Sequence, residues 1–267
     1  MKRYFLFLLS VSLSVLMISC SKDNMETDTV IPYQKIGEGY AAGATVKVEV
    51  YAKKALSTGY NAIYIALYDS TSNQRIENAR ITFVPMMDMG TMKHSAPVEN
   101  PANHTTDKLF EGGIVFTMPS GTSGSWTLDV NVVVNEKQGK LTLPVNITAT
   151  SVSRVKSFIS KEDNARYFVT LLQPEVPKVG VNDMEIAIYK AKSMMAFPAD
   201  SSLTVTLTPE MPAMDHGSPN NVDPVHVGKG HYKGKVNFTM TGLWYLHLDF
   251  KNGDAIADTA TYFEVNF

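Results

Sequence analysis

The chain of 267 residues has almost no cysteine: Cys20 is the only one. That excludes internal disulfides, cysteine-rich zinc sites and iron–sulfur clusters. It also lacks a charge bias. Lys and Arg number 24 against 26 Asp and Glu, a net charge of −2, and no basic run is interleaved with aromatics. A nucleic-acid partner is therefore not expected. Catalytic signatures are missing too: there is no Gly-x-Ser-x-Gly, no His-Glu-x-x-His and no glycine-rich phosphate loop. No set of nucleophile, base and orienting group can be picked out, so the chain does not read as an enzyme. Strong helical segments are absent as well, and only Ser157 to Asn164 admits a short helix.

What is present begins at the N-terminus. Lys2-Arg3 precede an apolar run from Tyr4 to Ile18, the layout of a secretory signal and too short for a comfortable membrane span. The run ends in Leu16-Met17-Ile18-Ser19-Cys20, which resembles the lipobox of bacterial lipoproteins. The resemblance implies a signal peptide over 1–19, lipidation of Cys20 and a lipidated tether over 20–40. Several acyl chains are needed for stable anchoring, because one alone is marginal. Ser21-Lys22-Asp23-Asn24 resembles the polar tags of outer-membrane lipoproteins. The expected location is the outer membrane, facing the periplasm or the cell surface, with the lipid anchor as the contact to the membrane.

After the polar tether come short runs of period-2 alternation, among them Thr45–Tyr51, Ala62–Tyr68, Arg80–Val84, Gly113–Met118, Ser125–Val132 and Gly139–Val145. Each is bounded by Gly, Pro, Asn or Ser, the pattern of an all-β sandwich or barrel. A second set follows: Ala165–Leu172, Met184–Tyr189, Ser202–Thr208, Lys235–Met240, Trp244–Phe250 and Ala260–Phe267. Gly59-Tyr60-Asn61 answers Gly180-Val181-Asn182, and Phe116-Thr117-Met118 recurs as Phe238-Thr239-Met240. Trp126-Thr127-Leu128 recurs as Trp244-Tyr245-Leu246, always about 120 residues apart. The expectation is two copies of one β-domain, over 41–150 and 151–267. Alternation puts Trp126 and Trp244 in the cores and turns His247 outward.

The second copy contains Pro209-Glu210-Met211-Pro212-Ala213-Met214-Asp215-His216-Gly217-Ser218, and the first has Met86-Met87-Asp88-Met89-Gly90-Thr91-Met92-Lys93-His94. Interrupted by Pro and Gly, both read as loops outside a packed core. Thioether sulfur is a soft, neutral ligand that favours Cu(I) over Zn(II), Ca(II) or Mg(II), and imidazole serves copper in either oxidation state. Such a site needs no thiolate, which suits an oxidising compartment. The candidate ligands are Met211, Met214, His216 and His226 in the second copy. In the first they are Met87, Met89, Met92, His94 and His104. His104 and His226 stand at the same distance from the following Phe-Thr-Met strand. His231 has Leu109 opposite it in the first copy, and Met194 and Met195 have no counterpart there, so none of the three belongs to the shared set. The alternative reading is a cell-envelope scaffold whose Met-rich loops contact a protein partner, since methionine clusters also form adaptable binding surface.

Pro-x-Met-Pro-x-Met-Asp-His, then Gly230-His231-Tyr232-Lys233-Gly234-Lys235-Val236-Asn237-Phe238-Thr239-Met240, then Gly242-Leu243-Trp244, resembles the YtkA-like domain. The likeness covers about Asn182 to Phe250, and Asn61 to Val132 more loosely. It implies tandem immunoglobulin-like β-sandwiches outside the cytoplasm, an association with copper handling, and a copper-delivery or efflux protein as partner.

Overall fold

The structure, a computed structural model, describes residues 31–267. The signal peptide, Cys20 and the start of the tether lie outside the described residues. Ten strands come first: β1 (Gln34–Ala41), β2 (Val46–Ala52), β3 (Gly59–Asp69), β4 (Arg75–Ile76), β5 (Arg80–Asp88), β6 (Lys93–His94), β7 (Val98–Glu99), β8 (Phe110–Phe116), β9 (Ser125–Val134) and β10 (Lys137–Val145). One sheet runs β1-β2-β3-β8-β7, with β4 on β3, and the other runs β10-β9-β5-β6. Nine more strands follow: β11 (Val155–Ile159), β12 (Arg166–Gln173), β13 (Gly180–Lys190), β14 (Thr204–Met211), β15 (His216–Gly217), β16 (Val222–Gly228), β17 (His231–Phe238), β18 (Leu243–Asn252) and β19 (Ala255–Asn266). They form the sheets β11-β12-β13-β17-β16 and β15-β14-β18-β19. The described residues are all-β, folded as immunoglobulin-like sandwiches.

Period-2 patterning is what makes each sandwich. Trp126, Leu128, Val130 and Val132 alternate inward along β9 and are almost wholly buried, while the residues between them stay partly exposed. Trp244, Leu246, Leu248 and Phe250 do the same on β18. One core collects residues from Ala41 to Ile147 and another those from Phe158 to Val265. Between the sandwiches lies a third, small cluster, in which Val115, Ala187 and Tyr189 are buried with Tyr60, Val155, Leu172 and Phe197 packed on them.

The entry turns of β3 and β13 match atom for atom. Gly59 and Gly180 both have φ of 101°, a region that favours glycine. The Asn61 side chain accepts from Ser57 N and donates to the carbonyls of Ser57 and Gly59. Asn182 bonds Lys178 and Gly180 in the same way.

Two expectations need correction. The tether does not reach residue 40, because β1 begins at Gln34 and pairs along β2. Gly37 and Gly39 let β1 lie directly on Leu143 and Leu141, where a Cβ would meet them at 3.0 and 2.6 Å. Nor is Ser157 to Asn164 a helix: it is the end of β11 and a turn. Phe158 stacks on Tyr167 and Phe250 at 5.2 and 5.0 Å, which holds the segment extended. The Ser160 hydroxyl then accepts the amides of Glu162 and Asp163, and Asn164, at φ 57°, ends the turn.

Candidate metal site

The two Met/His stretches are hairpins rather than loops. Met87 on β5 pairs with His94 on β6, and Met211 on β14 pairs with His216 on β15. Pro85 and Pro209 lie inside strands where no third strand needs their missing N–H, since β6 and β15 flank only the last residues of β5 and β14. Directly paired residues share a face. On its other side Met87 pairs with Trp126 on β9. The registry of β14 with β18, in which Glu210 stands opposite Tyr245, puts Met211 level with Trp244. Each sandwich thus carries a lateral row of His, Met and Trp over three strands.

The outer members of the row lean together over the middle one. Backbones two strands apart are separated by roughly 10 Å. Yet the rings of His94 and Trp126 have centroids 5.4 Å apart at 88°, and those of His216 and Trp244 are 5.7 Å apart at 81°. The thioether lies beneath them: Met87 is 0% exposed and Met211 4%. The expectation that these two methionines stay out of the core is therefore overturned. Their methyls fill the space beside Gly124 and Gly242, where a Cβ would meet them at 3.0 and 2.9 Å. Each indole is fixed in turn, Trp126 Nε1 donating to the Met118 carbonyl at 3.0 Å and Trp244 Nε1 to that of Met240 at 3.1 Å.

The hairpin tips carry the remaining thioethers. Met92 is 45% exposed and Met214 59%, while Met89 packs partly on the first core. The Lys93 ammonium pairs with Asp88 at 2.7 Å across the first tip, and that contact, with the Gly90 amide, holds the Asp88 carboxyl below its usual range. His94 Nδ1 lies 2.8 Å from the Ser95 carbonyl. A carbonyl only accepts, so Nδ1 donates, and in a neutral ring this tautomer would leave the Nε2 lone pair for a metal. His216 has only a long contact, Nε2 to the Thr239 hydroxyl at 3.5 Å.

His226 and His104 do not join these groups. His226 pairs with Tyr232 near the start of β17, whereas His216 touches Thr239 just past its end, roughly 20 Å away along the strand. His104 bridges to Asn78, before β5 begins, with Met87 near its far end, again over ~20 Å away. Equal spacing from the Phe-Thr-Met strand puts both histidines at the opposite end of their sandwich. Met87, Met89, Met92 and His94 are brought together, and so are Met211, Met214 and His216.

A third cluster lies where the sandwiches meet, and sequence reasoning set aside its central residue. His231 Nε2 is 2.7 Å from Glu99 and its Nδ1 2.7 Å from Glu185. Tyr189 and Tyr60 donate hydroxyls to Glu99 at 2.5 and 3.3 Å. Lys233 is 3.5 Å from Glu185. Two acceptors on two ring nitrogens require both to carry protons, so His231 is an imidazolium in this geometry. The bond to Glu99 raises its pKa above the usual histidine value, against the opposing effect of burial. Burial alone would raise Glu99, but the bonds from His231 and Tyr189 outweigh it and hold the carboxyl down. Burial and the Glu99 charge push both tyrosines up.

The chain is similar to several known proteins. The YtkA-like family profile matches residues 161–249. No curated protein matches the sequence. Among solved structures, domains 5–6 of the S-layer protein SbsC share 12% identity over 88% of this chain and 97% of that one, at a TM-score of 0.29. A conserved domain protein from Bacillus anthracis shares 10% over 87% and 88%, also at 0.29. The Escherichia coli adhesin FdeC shares 10%, at 0.27, over 85% of this chain; the match spans 65% of FdeC's length. Likenesses at this level say nothing of what the chain binds. The segment 161–249 that matches the YtkA-like family runs from the turn after β11 into β18 and contains the whole Met211–His216 hairpin.

Proposed function

We propose that the chain binds Cu(I), to hold it or pass it on, at the hairpin end of each sandwich, as a protein anchored outside the cytoplasm through lipidated Cys20. The observation that carries this reading is the His–Met–Trp row occurring in both sandwiches with the imidazole leaning over the thioether. A neutral thioether, an imidazole lone pair and a second thioether from the tip (Met92 or Met214) make a soft donor set suited to Cu(I) or Ag(I). The indole adds a face that attracts a cation when little water intervenes. Partial exposure of His94 and His216 gives an ion a way in, and the tip thioethers give it a first point of capture.

The exposure of Met92 and Met214 also favours the second reading, a Met-rich surface that contacts a protein partner. An anaerobic Cu(I) titration of the chain from Ser21 onward, against a chromophoric competitor, separates the two. Cu(I) binding should quench the Trp126 and Trp244 fluorescence, and binding should weaken in a variant with Met214→Ala and His216→Ala. Affinity equal to that of a further variant with His94→Ala and Met92→Ala added would end the copper reading. Protons compete for imidazole, so affinity should fall from about pH 7 to about pH 5. A flat profile would leave thioethers as the only ligands.

A further inference from the structure

A turn of the second sandwich is bonded beside the first hairpin. The chain leaving β13 makes a tight turn, Ser193–Ala196, closed by bonds between those two residues and by Lys192 N to the Ala196 carbonyl at 2.9 Å. Its tip residues are Met194 and Met195. The Met194 carbonyl accepts the amide of Ser95 at 2.8 Å, a bond between the two sandwiches. Ser95 directly follows His94, β6 is the edge of its sheet, and the turn caps that edge. Ser95 itself is 6% exposed, and its hydroxyl is tied to the Pro85 carbonyl on β5. The docking point therefore belongs to the rigid part of the hairpin.

Two methionines are thereby placed next to the candidate imidazole while remaining 45% and 51% exposed. That bond holds the Met194 backbone against the residue next to His94 in the chain. The ring is held near Ser95 by its Nδ1 bond, leaving Nε2 free. Met194 and Met195 pack on neither core. Among the described residues no backbone bond from another sandwich reaches Gly217, the residue that stands after His216 as Ser95 stands after His94.

We infer that the second sandwich donates a thioether, from Met194 with Met195 as its neighbour, to the first soft-metal site. That site is then assembled from both sandwiches around His94, Met92 and the turn. The second site is built from one sandwich alone and is the more open of the two. Cu(I) at the first site ties the two sandwiches together, and Cu(I) at the second is the exchangeable one. This inference rests on the copper reading above.

The test starts from the chain from Ser21 with Met214→Ala and His216→Ala, which removes the solvent-facing donors of the second site and leaves the buried Met211 in place. This background should bind one Cu(I). Adding Met194→Ala and Met195→Ala should loosen it by about tenfold or more and leave the metal-free melting temperature unchanged, since both side chains are half exposed. Cu(I) should also slow hydrogen exchange at the Ser95 amide in the background and no longer do so after the methionines are removed. Unchanged affinity and unchanged Ser95 exchange would overturn the inference while leaving the copper reading intact. A background that binds no Cu(I) would overturn both.

Discussion

Glu99→Ala tests whether the contact between the sandwiches is held by a proton. The substitution removes the acceptor of three hydrogen bonds, from His231, Tyr189 and Tyr60. A charge-assisted bond contributes about 1.5–3 kcal/mol, and a buried hydroxyl left without a partner costs about 1–3 kcal/mol. Tyr189 is 1% exposed, so its hydroxyl is the group water reaches least easily. The side chains of His231 and Glu99 keep 15% and 12% exposure, which admits some solvent screening and argues for the lower half of the range. The net expectation is a loss of about 2–4 kcal/mol, or a fall of roughly 5–15 °C in melting temperature for a chain of this size. The pH dependence is the sharper readout. The folded His231 pKa is raised, so its contribution is complete below the free value of about 6.5 and is lost as pH rises through the folded value. Glu99 is held down, so its contribution is present above about 4.3 and is lost as pH falls through its folded value. Between those limits the wild-type chain should exceed the variant by the full amount, and the gap should narrow on the alkaline side, where a neutral imidazole meets one of its two carboxylates with a lone pair while the tyrosine bonds remain. Calorimetric melts of both proteins across about pH 5.5 to 9 read it directly. A gap that stays constant over that range would refute the reasoning.

The methionines of one hairpin should separate by position. Met211→Ala should cost about 2–4 kcal/mol in denaturant unfolding, because it opens a cavity beneath Trp244, whereas Met214→Ala should stay within about 0.5 kcal/mol; equal losses would contradict the placement of Met211 under the rings. Asn61→Ala and Asn182→Ala each remove three bonds from an entry turn and should each cost about 2–3 kcal/mol, measured the same way. A near-neutral result at either position would mean that water replaces the side chain there.

Fold class was legible because strands write themselves in period 2. Trp126 to Val132 and Trp244 to Phe250 state their inward faces in sequence, and the structure buries those residues. The hairpins were harder. Pro209 and Pro212 read as loop signals, yet a proline inside a strand, as at Pro85 and Pro209, is tolerated where no third strand asks for its N–H, and strand order is a tertiary fact. Loop chemistry therefore hid the burial of Met87 and Met211. His104 and His226 misled for a related reason: sequence distance to a strand says nothing of which end of that strand a residue meets. The pairing of His226 with Tyr232, set against the contact of His216 with Thr239, decides it.

His231 has no counterpart in the first copy. Comparing two copies keeps what both share, and a contact between the copies is necessarily unshared, because each contributes a different face. Leu109 standing where the second copy has His231, and the absence of any counterpart to Met194, count against a repeated site. They count in favour of a role at the junction. The structure puts both residues there, with Met194 on Ser95 and His231 on Glu99. Ser95 and Glu99 are four residues apart on one segment that leads straight out of the His94 hairpin. A perturbation at either end of that segment has a short covalent path to the other. If the first hairpin binds Cu(I) as proposed, protonation of His231 and that binding should thus be felt together, while the hairpin at Met211 and His216, on the sandwich that only receives this segment, should be insensitive to His231.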